Sequence, residues 1–412
     1  MWPKRLPAVA AHNCKARLKL DLPSDNSDFL NCSNVMSVGG KLRSSCCATW
    51  LRFAFDVYKL LAEYDGKLYM LGAQGLWYYQ DHSTTNFLNK TEYTACACVF
   101  QGKLNIMGPN MGAYVIEKRY TFQDNVGGIS LAVCDDRMFA LEANNDIAIT
   151  TAGQTGWQDY FRLTPNTKLG ALVTVGKKLY ALGDTCYVFD PSTAVDNLDV
   201  TFRALCHGVG CVQTDTQAVF GKKAVFATDC GLRLLQSDNV TSIFEGLNSF
   251  VSFVGSVACA HKGLYYVSCK RLDGTQERND VTLILDVHHE NIVGILDMGS
   301  ESLCSSGEIL YLLRDKKLYL LEGVATESSW FQTVDFGNSS LKFLDTLFIK
   351  CKQDAELTIT GDNSSVSYKV KGNGALQRIP VCCVGRSFTF QIRAQNGLQV
   401  DYAELTARRY EV

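Results

Sequence analysis

The residues of this chain that could carry chemistry are few and scattered. Of its six histidines, His207 stands in "CHGVGC" between Cys206 and Cys211. Imidazole and thiolate both bind zinc, but a structural zinc takes four ligands, commonly as two spaced pairs. Here three donors crowd into six residues with no fourth in view. A turn with buried thiols is the better reading, with a zinc site as the alternative. His288–His289 ends an apolar run and reads as a solvated pair. There is no G-x-S-x-G nucleophile elbow, phosphate-cradling GKS/T loop, H-E-x-x-H helix or spaced Ser/His/Asp set. "KGNGALQR" (Lys371 to Arg378) supplies glycines without the strand-to-helix setting that phosphate binding requires. Carboxylates are plentiful, and a general acid/base pair could form only if loops converge. The expectation is a protein that is not an enzyme, with no catalytic, cofactor-binding or metal-binding residue and no cofactor.

The seventeen cysteines include no C-x-x-C; the closest groupings are Cys46–Cys47, Cys96/Cys98, Cys206/Cys211 and Cys382–Cys383. Neighbouring side chains on a strand point to opposite faces, so adjacent cysteines chelate and cross-link poorly. Most lie in apolar runs such as "TACACVF" and "VGSVACA". They read as buried free thiols acting as small hydrophobes.

The elements that would have to position any site are strands. Thirty-three Gly, few Pro and 11% aromatics suit a β-rich globular chain. "DGKLYMLGAQGLWYY" (Asp65 to Tyr79) returns as "GKKLYALGDTCYVFD" (Gly176 to Asp190) and "GEILYLLRDKKLYLLEG" (Gly307 to Gly323). Seven such copies centre on Leu68, Leu104, Met138, Leu179, Ala224, Leu264 and Leu310, spaced 34 to 46 residues apart. A period near 40 residues marks propeller blades. A small-residue segment precedes each hairpin and a more polar strand follows it, giving four strands per repeat. Blades converge on an axis, which demands Ala, Gly, Cys and Val on the inner strand. Middle strands are covered on both faces, which explains apolar runs such as "LYML". Closing the ring protects the edges of an otherwise open sheet. The fold expected is all-β: a seven-bladed (six to eight) β-propeller of four-stranded blades.

Residues 339–412 read as about six alternating strands broken by "GDNSS", "KGNG" and "QNG", a small C-terminal β-sandwich. The expected organisation is 1–50 as an extended N-terminal arm, 51–337 as propeller and 338–412 as β-sandwich. The arm wraps the ring or a partner and can lend a strand to closure. "KRLDGTQERND" (Lys270 to Asp280) is a charged insert between the sixth repeat's middle strands, read as a solvated hairpin tip or a contact loop. Trp77, Tyr78 and Tyr79 could stack on a sugar, but aromatics in a blade hairpin are more often core. Trp157 and Trp330 open outer strands, where an aromatic packs between blades. The nearest match to the S-x-D-x-G-x-x-W box of sialidase propellers, "TAGQTGW" (Thr151 to Trp157), lacks the Asp.

A formal net charge of −2 offers no basic field, so specific nucleic-acid binding is not expected. Apolar runs stop after six to eight residues, too short for membrane insertion. Leu6 to Ala11 is too short for a signal-peptide core, which implies folding in a reducing cytoplasm.

Three stretches carry a resemblance. "NCSNVMSVGGKLRSS" (Asn31 to Ser45) is similar to a phrase that follows an extended arm in many bacteriophage structural proteins. "SWFQTVDFGNSSLKFLDTLFIKCKQDAELTIT" (Ser329 to Thr360) resembles their exit from a last blade into a small β-domain. "RSFTFQIRAQNGLQVDYAELTARRYEV" (Arg386 to Val412) resembles their closing strands. The family is the β-propeller virion proteins of tailed phages, such as tail nozzle or hub and neck components; this chain is much shorter than the nozzles. The resemblance implies an architectural, non-enzymatic protein of the tail or neck, assembled into the virion in the host cytoplasm. Its partners would be other tail, neck and connector proteins, with several copies around the tail axis. The alternative is a host-receptor or glycan-binding module of a phage tail.

Overall fold

The computed structural model describes residues 11–17, 32–38, 41–44, 47–88, 92–116, 121–123, 126–154, 157, 160–193, 200–272, 277–322, 329–332, 336–362 and 364–410. Asp65 and Gly66 show how the repeat is built. Both hold positive φ, 52° and 70°, the paired left-handed conformation whose twist suits a two-residue hairpin. They place Val57–Tyr64 against Lys67–Gly72, with Tyr64 opposite Lys67. The same turn recurs at Gln101–Gly102, Asp135–Asp136 and Lys262–Gly263. Asp135 and Asp136 adopt it without glycine, as short polar side chains tolerate the left-handed region.

Contacts divide the chain into two units: Ala48–Glu290 with Met298–Glu322, and Met1–Cys47 with Asn291–Asp297 and Gly323–Val412. In the former, seven antiparallel sheets follow one another. Sheet 1 is Val57–Tyr64, Lys67–Gly72, Gly75–Gln80 and Ser83–Leu88; sheet 2 is Cys96–Phe100, Lys103–Gly108, Gly112–Ile116 and Thr121–Gln123. Sheet 3 is Gly128–Cys134, Arg137–Glu142, Ile147–Thr150 and Tyr160–Leu163; sheet 4 is Leu169–Val175, Lys178–Gly183, Cys186–Phe189 and Arg203–Cys206. Sheet 5 is Ala218–Phe220, Lys223–Thr228, Gly231–Gln236 and Asn239–Ile243, and this unit's part of sheet 6 is Val251–His261, Leu264–Arg271 and Val281–Asp286. Sheet 7 is Ser302–Ser306, Ile309–Arg314 and Lys317–Glu322, with Cys47–Leu51 as its fourth strand. Chain from before the first sheet thus completes the last one. Among the described residues there is no α-helix, only short 3-10 turns at Pro191–Thr193 and Glu245–Ser249.

The first strand of each sheet touches that of the next, and the first strand of sheet 7 touches that of sheet 1. The cycle is closed. Second strands are covered on both faces: every residue of Arg137–Glu142 is buried. Each hydrophobic core lies between consecutive sheets. Phe139, Leu141 and Ile149 of sheet 3 pack on Leu172, Leu179 and Phe189 of sheet 4; Val57, Leu68 and Met70 of sheet 1 pack on Tyr311, Leu313 and Leu318 of sheet 7. Burying one such side chain contributes about 1.5–3 kcal/mol, so sheets 1 to 4 each depend on both neighbours.

Sheets that meet face to face leave backbone groups of the first strands without ladder partners, and hydroxyls supply them. A register shift between Leu60 and Ala62 disrupts the ladder; the Leu60 N–H then donates to Ser302 Oγ at 3.1 Å. The Leu172 N–H likewise donates to Ser130 Oγ at 3.0 Å, and Thr174 Oγ1 to the Val133 carbonyl at 2.7 Å.

The second unit is built on three long strands, Phe336–Cys351, Leu376–Ala394 and Gln399–Tyr410. Leu376–Ala394 alternates in burial along its length. One end pairs with Phe336–Cys351 (Lys350 opposite Leu376), the other with Ala355–Gly361 (Leu357 opposite Ile392). The described residues near the N-terminus are mostly strand too. Ala11–Arg17 pairs with Gln399–Tyr410, Val35–Val38 forms a hairpin with Lys41–Ser44, and Met36 sits opposite Gly294. Cys382 is exposed while Cys383 is buried, as strand alternation requires.

Candidate functional site

Where the first strands converge they leave a space of about 180 Å³ lined by Lys59, Cys96, Ser130, Asp215, Gln217 and Ser302 among others. Lys59 is brought there by a register shift between Val57 and Lys59. Asp215 stands in the turn ahead of sheet 5 at φ 68°, and its carbonyl accepts the Ala258 N–H at 2.9 Å. Lys59 Nζ donates to Asp215 Oδ2 at 2.6 Å, a link from sheet 1 to sheet 5. Burial pushes the Cys96 thiol far above its usual range, so it is a neutral wall group. This space holds a satisfied ion pair and hydroxyls that staple sheets. It can clamp the ring; it does not present a carboxylate pair for acid/base work.

The hairpins between first and second strands interlock. The Tyr64 hydroxyl donates to the Gly102 carbonyl at 2.5 Å, joining sheets 1 and 2. Gln101 Nε2 donates to Asp136 Oδ1 at 2.8 Å between sheets 2 and 3; Cys134 Sγ contacts the Lys177 carbonyl at 3.3 Å between sheets 3 and 4. Lys262 pairs with Glu308 at 2.7 Å between sheets 6 and 7. Outside the hairpins of sheet 4, Lys178 Nζ meets Asp238 at 2.7 Å and Asp190 at 3.0 Å, and Tyr180 donates to Asp238 at 2.7 Å. Asp238 is held below the usual carboxylate range by those bonds from Lys178 and Tyr180. The Asp238 and Asp190 bonds in turn raise Lys178.

A separate groove of about 180 Å³ is lined by Trp50, Phe53, Phe55, Asp56, Lys316 and Lys317 among others. Trp50 is 42% exposed. The Arg52 guanidinium and the Lys317 ammonium each lie 5.0 Å from its ring centre, within cation–π range. Behind it Phe55 stacks on Trp77 at 3.9 Å.

Trp77, Tyr78 and Tyr79 are therefore half-buried packing residues: Tyr78 lies on the core of sheets 1 and 2, Trp77 and Tyr79 on that of sheets 7 and 1. His207 Nδ1 meets Thr185 Oγ1 at 2.9 Å, and His289 Nδ1 meets Asp286 at 2.7 Å. Neither belongs to a metal-binding cluster among the described residues. Cys96, Cys134, Cys186, Cys269, Cys304, Cys351 and Cys383 are buried free thiols, while Cys211, Cys230 and Cys382 are exposed. Trp157 is buried in the core of sheets 2 and 3; the side chain of Trp330 lies outside the described residues. The base of the "KRLDGTQERND" hairpin is tied by Asp280 Oδ1 accepting the Arg271 N–H at 2.8 Å, and its tip, 273–276, also lies outside them. Sequence reasoning passed over Lys59, Asp215 and Trp50. The one available signal was Trp50, an aromatic two residues before Arg52, in the short strand Cys47–Leu51.

No protein-family model matches the chain, and no curated protein does. Among solved structures it is similar to the WD40 β-propeller domain of Doa1, with 14% identity over 68% of this chain and 97% of that one and a TM-score of 0.50. It is also similar to BamB from Moraxella catarrhalis, with 11% identity over 75% of this chain and 98% of that one and a TM-score of 0.45. With the closed cycle of sheets, the first likeness establishes a β-propeller fold.

Proposed function

We propose that the chain is a non-enzymatic structural protein of the tail or neck of a bacteriophage virion. It is a seven-bladed propeller whose C-terminal strands form a small β-sandwich, and it works by docking to other virion proteins. The observation that carries the architectural part is the cyclic contact of first strands, closed between sheets 7 and 1 and pinned across the centre by Lys59–Asp215. Such a ring is stiff, because no sheet moves without opening two cores. Its buried or half-buried carboxylates serve as structural partners: Glu142 grips Arg162 at 2.6 Å, and Asp190 and Asp238 hold Lys178. The shared pairing of Leu376–Ala394 with two different strands supports a two-layer C-terminal domain. The phage setting rests on the sequence resemblance at Asn31 to Ser45, Ser329 to Thr360 and Arg386 to Val412. Quantitative mass spectrometry of purified particles tests it: recovery in fixed stoichiometry with tail proteins is expected, and absence from particles removes the reading.

Trp50 favours a second reading, a glycan- or receptor-binding module. An exposed indole beside two cations suits stacking on an acidic sugar. Saturable binding of the isolated protein to host cells, lost in Trp50→Ala, would support it; unchanged binding would not.

A further inference from the structure

An opening lies between the hairpin at Phe220–Lys223 and that at His261–Leu264. A pocket of about 390 Å³ opens there, lined by Val219, Phe220, His261, Lys262 and His288 among others. Its walls mix apolar, aromatic and polar groups: Val219 is 42% exposed, and Phe220 meets His288 edge-on with centroids 6.3 Å apart. His261, 6% exposed, has Nδ1 engaged by Ser305 Oγ at 2.9 Å. Burial, with Lys262 alongside, keeps its imidazole below the usual range and hence neutral.

The hairpin that borders this opening carries "GKK" at Gly221–Lys223, as the hairpin of sheet 4 does at Gly176–Lys178. Lys178 is consumed by Asp190 and Asp238. Lys222 and Lys223, which follow the pocket-lining Gly221, have no carboxylate partner among the described residues, and Lys222 is exposed. The acids nearby are Glu308, paired with Lys262, Asp286, paired with His289, and the exposed Glu290. The result is a partly apolar pocket whose bordering hairpin carries two lysines without a carboxylate partner, in a chain whose net charge is −2.

We infer that the opening between sheets 5 and 6 is a docking site for an acidic protein segment, which seats one apolar or aromatic side chain between Val219 and His288 and sets its carboxylates against Lys222 and Lys223. The inference deepens the docking reading above. Charge complementarity selects the partner, and the pocket supplies the anchor that charges alone do not.

The test uses the full chain and a fluorescent peptide of Asp and Glu with one central Phe, followed by anisotropy. Saturable binding is expected, weakened at least about tenfold by Lys222→Glu/Lys223→Glu and by Val219→Asp, and falling as salt rises. Lys222 is exposed, so its reversal leaves the fold intact, which a thermal melt verifies. Equal binding of a Lys-rich peptide with the same Phe, no effect of either variant, or stronger binding of a single-stranded oligonucleotide would overturn the site. Because the assay needs no particle, its failure is separate from that of the virion reading.

Discussion

Lys59 and Asp215 are 156 positions apart, yet Lys59 Nζ and Asp215 Oδ2 lie 2.6 Å apart at the convergence of the first strands. The lysine side chain is 15% exposed and the aspartate 38%, so solvent screens the attraction only in part. Lys59→Met and Asp215→Ala should each destabilise the protein by about 1 kcal/mol. A double-mutant cycle should give a coupling of roughly 0.5–1 kcal/mol. Additive losses would show that the two residues stabilise the ring independently.

Ser302 tests closure directly. Its Oγ accepts the Leu60 N–H at 3.1 Å, and the residue is 5% exposed. Ser302→Ala leaves that donor buried and unmet, at a cost of about 1–3 kcal/mol. Urea unfolding should show a lower midpoint with an unchanged slope. Faster hydrogen exchange should be confined to sheets 7 and 1; protection lost uniformly around the ring would contradict this account.

The Lys178 cluster predicts loss of stability at both pH extremes. Asp238 is depressed by Lys178 and Tyr180, and Asp190 by Ser192 and then Lys178. Their contribution is present above the unfolded carboxylate pKa and lost as pH falls through the lower folded values. Lys178 is raised, so its contribution is complete below the unfolded lysine pKa and disappears as pH climbs through the folded one. Asp238→Asn should melt lower at neutral pH and show a shallower decline on acidification. A decline parallel to that of the parent protein would exclude the cluster as its source.

Thiol labelling reads the ring residue by residue. Cys211 and Cys382 are exposed and should react with a maleimide first. Cys230 is also exposed, but a hydrogen bond to Asp229 raises its pKa, so it should follow more slowly. Burial pushes the Cys304 thiol up to about 12 and that of Cys269 higher still, so both should label only on unfolding. Mass spectrometry of a timed series would decide the order, and native-state labelling at Cys269 ahead of Cys382 would refute it.

The repeat was legible because its determinants are local. Leu68, Leu104, Met138 and Leu179 all lie in second strands, where cover on both faces forces an uninterrupted apolar run. Small residues marked the first strands for an equally local reason, crowding. Long-range partners were not legible. "ENIVGILDM" was legible as a strand, but not that its Gly294 and Ile295 stand opposite Met36 and Val35, a choice made by tertiary context. Lys59–Asp215 was invisible because a register shift decides where Lys59 emerges. That the chain ahead of the first repeat can lend a strand to closure was foreseen, and Cys47–Leu51 does so as the last strand of sheet 7, but no periodic signal marks which residues supply it.

That borrowed strand sets a timetable for the nascent chain. Leu51 leaves the ribosome roughly 270 residues before the Lys317–Glu322 segment it must meet. At about 5–20 residues per second, translation leaves it waiting for tens of seconds. For that interval its unpaired edge and the indole of Trp50 are available to any passing strand. Maturation of the circle is therefore a late event, governed by loop closure over most of the polypeptide, and the interval before it is when this protein most needs a chaperone.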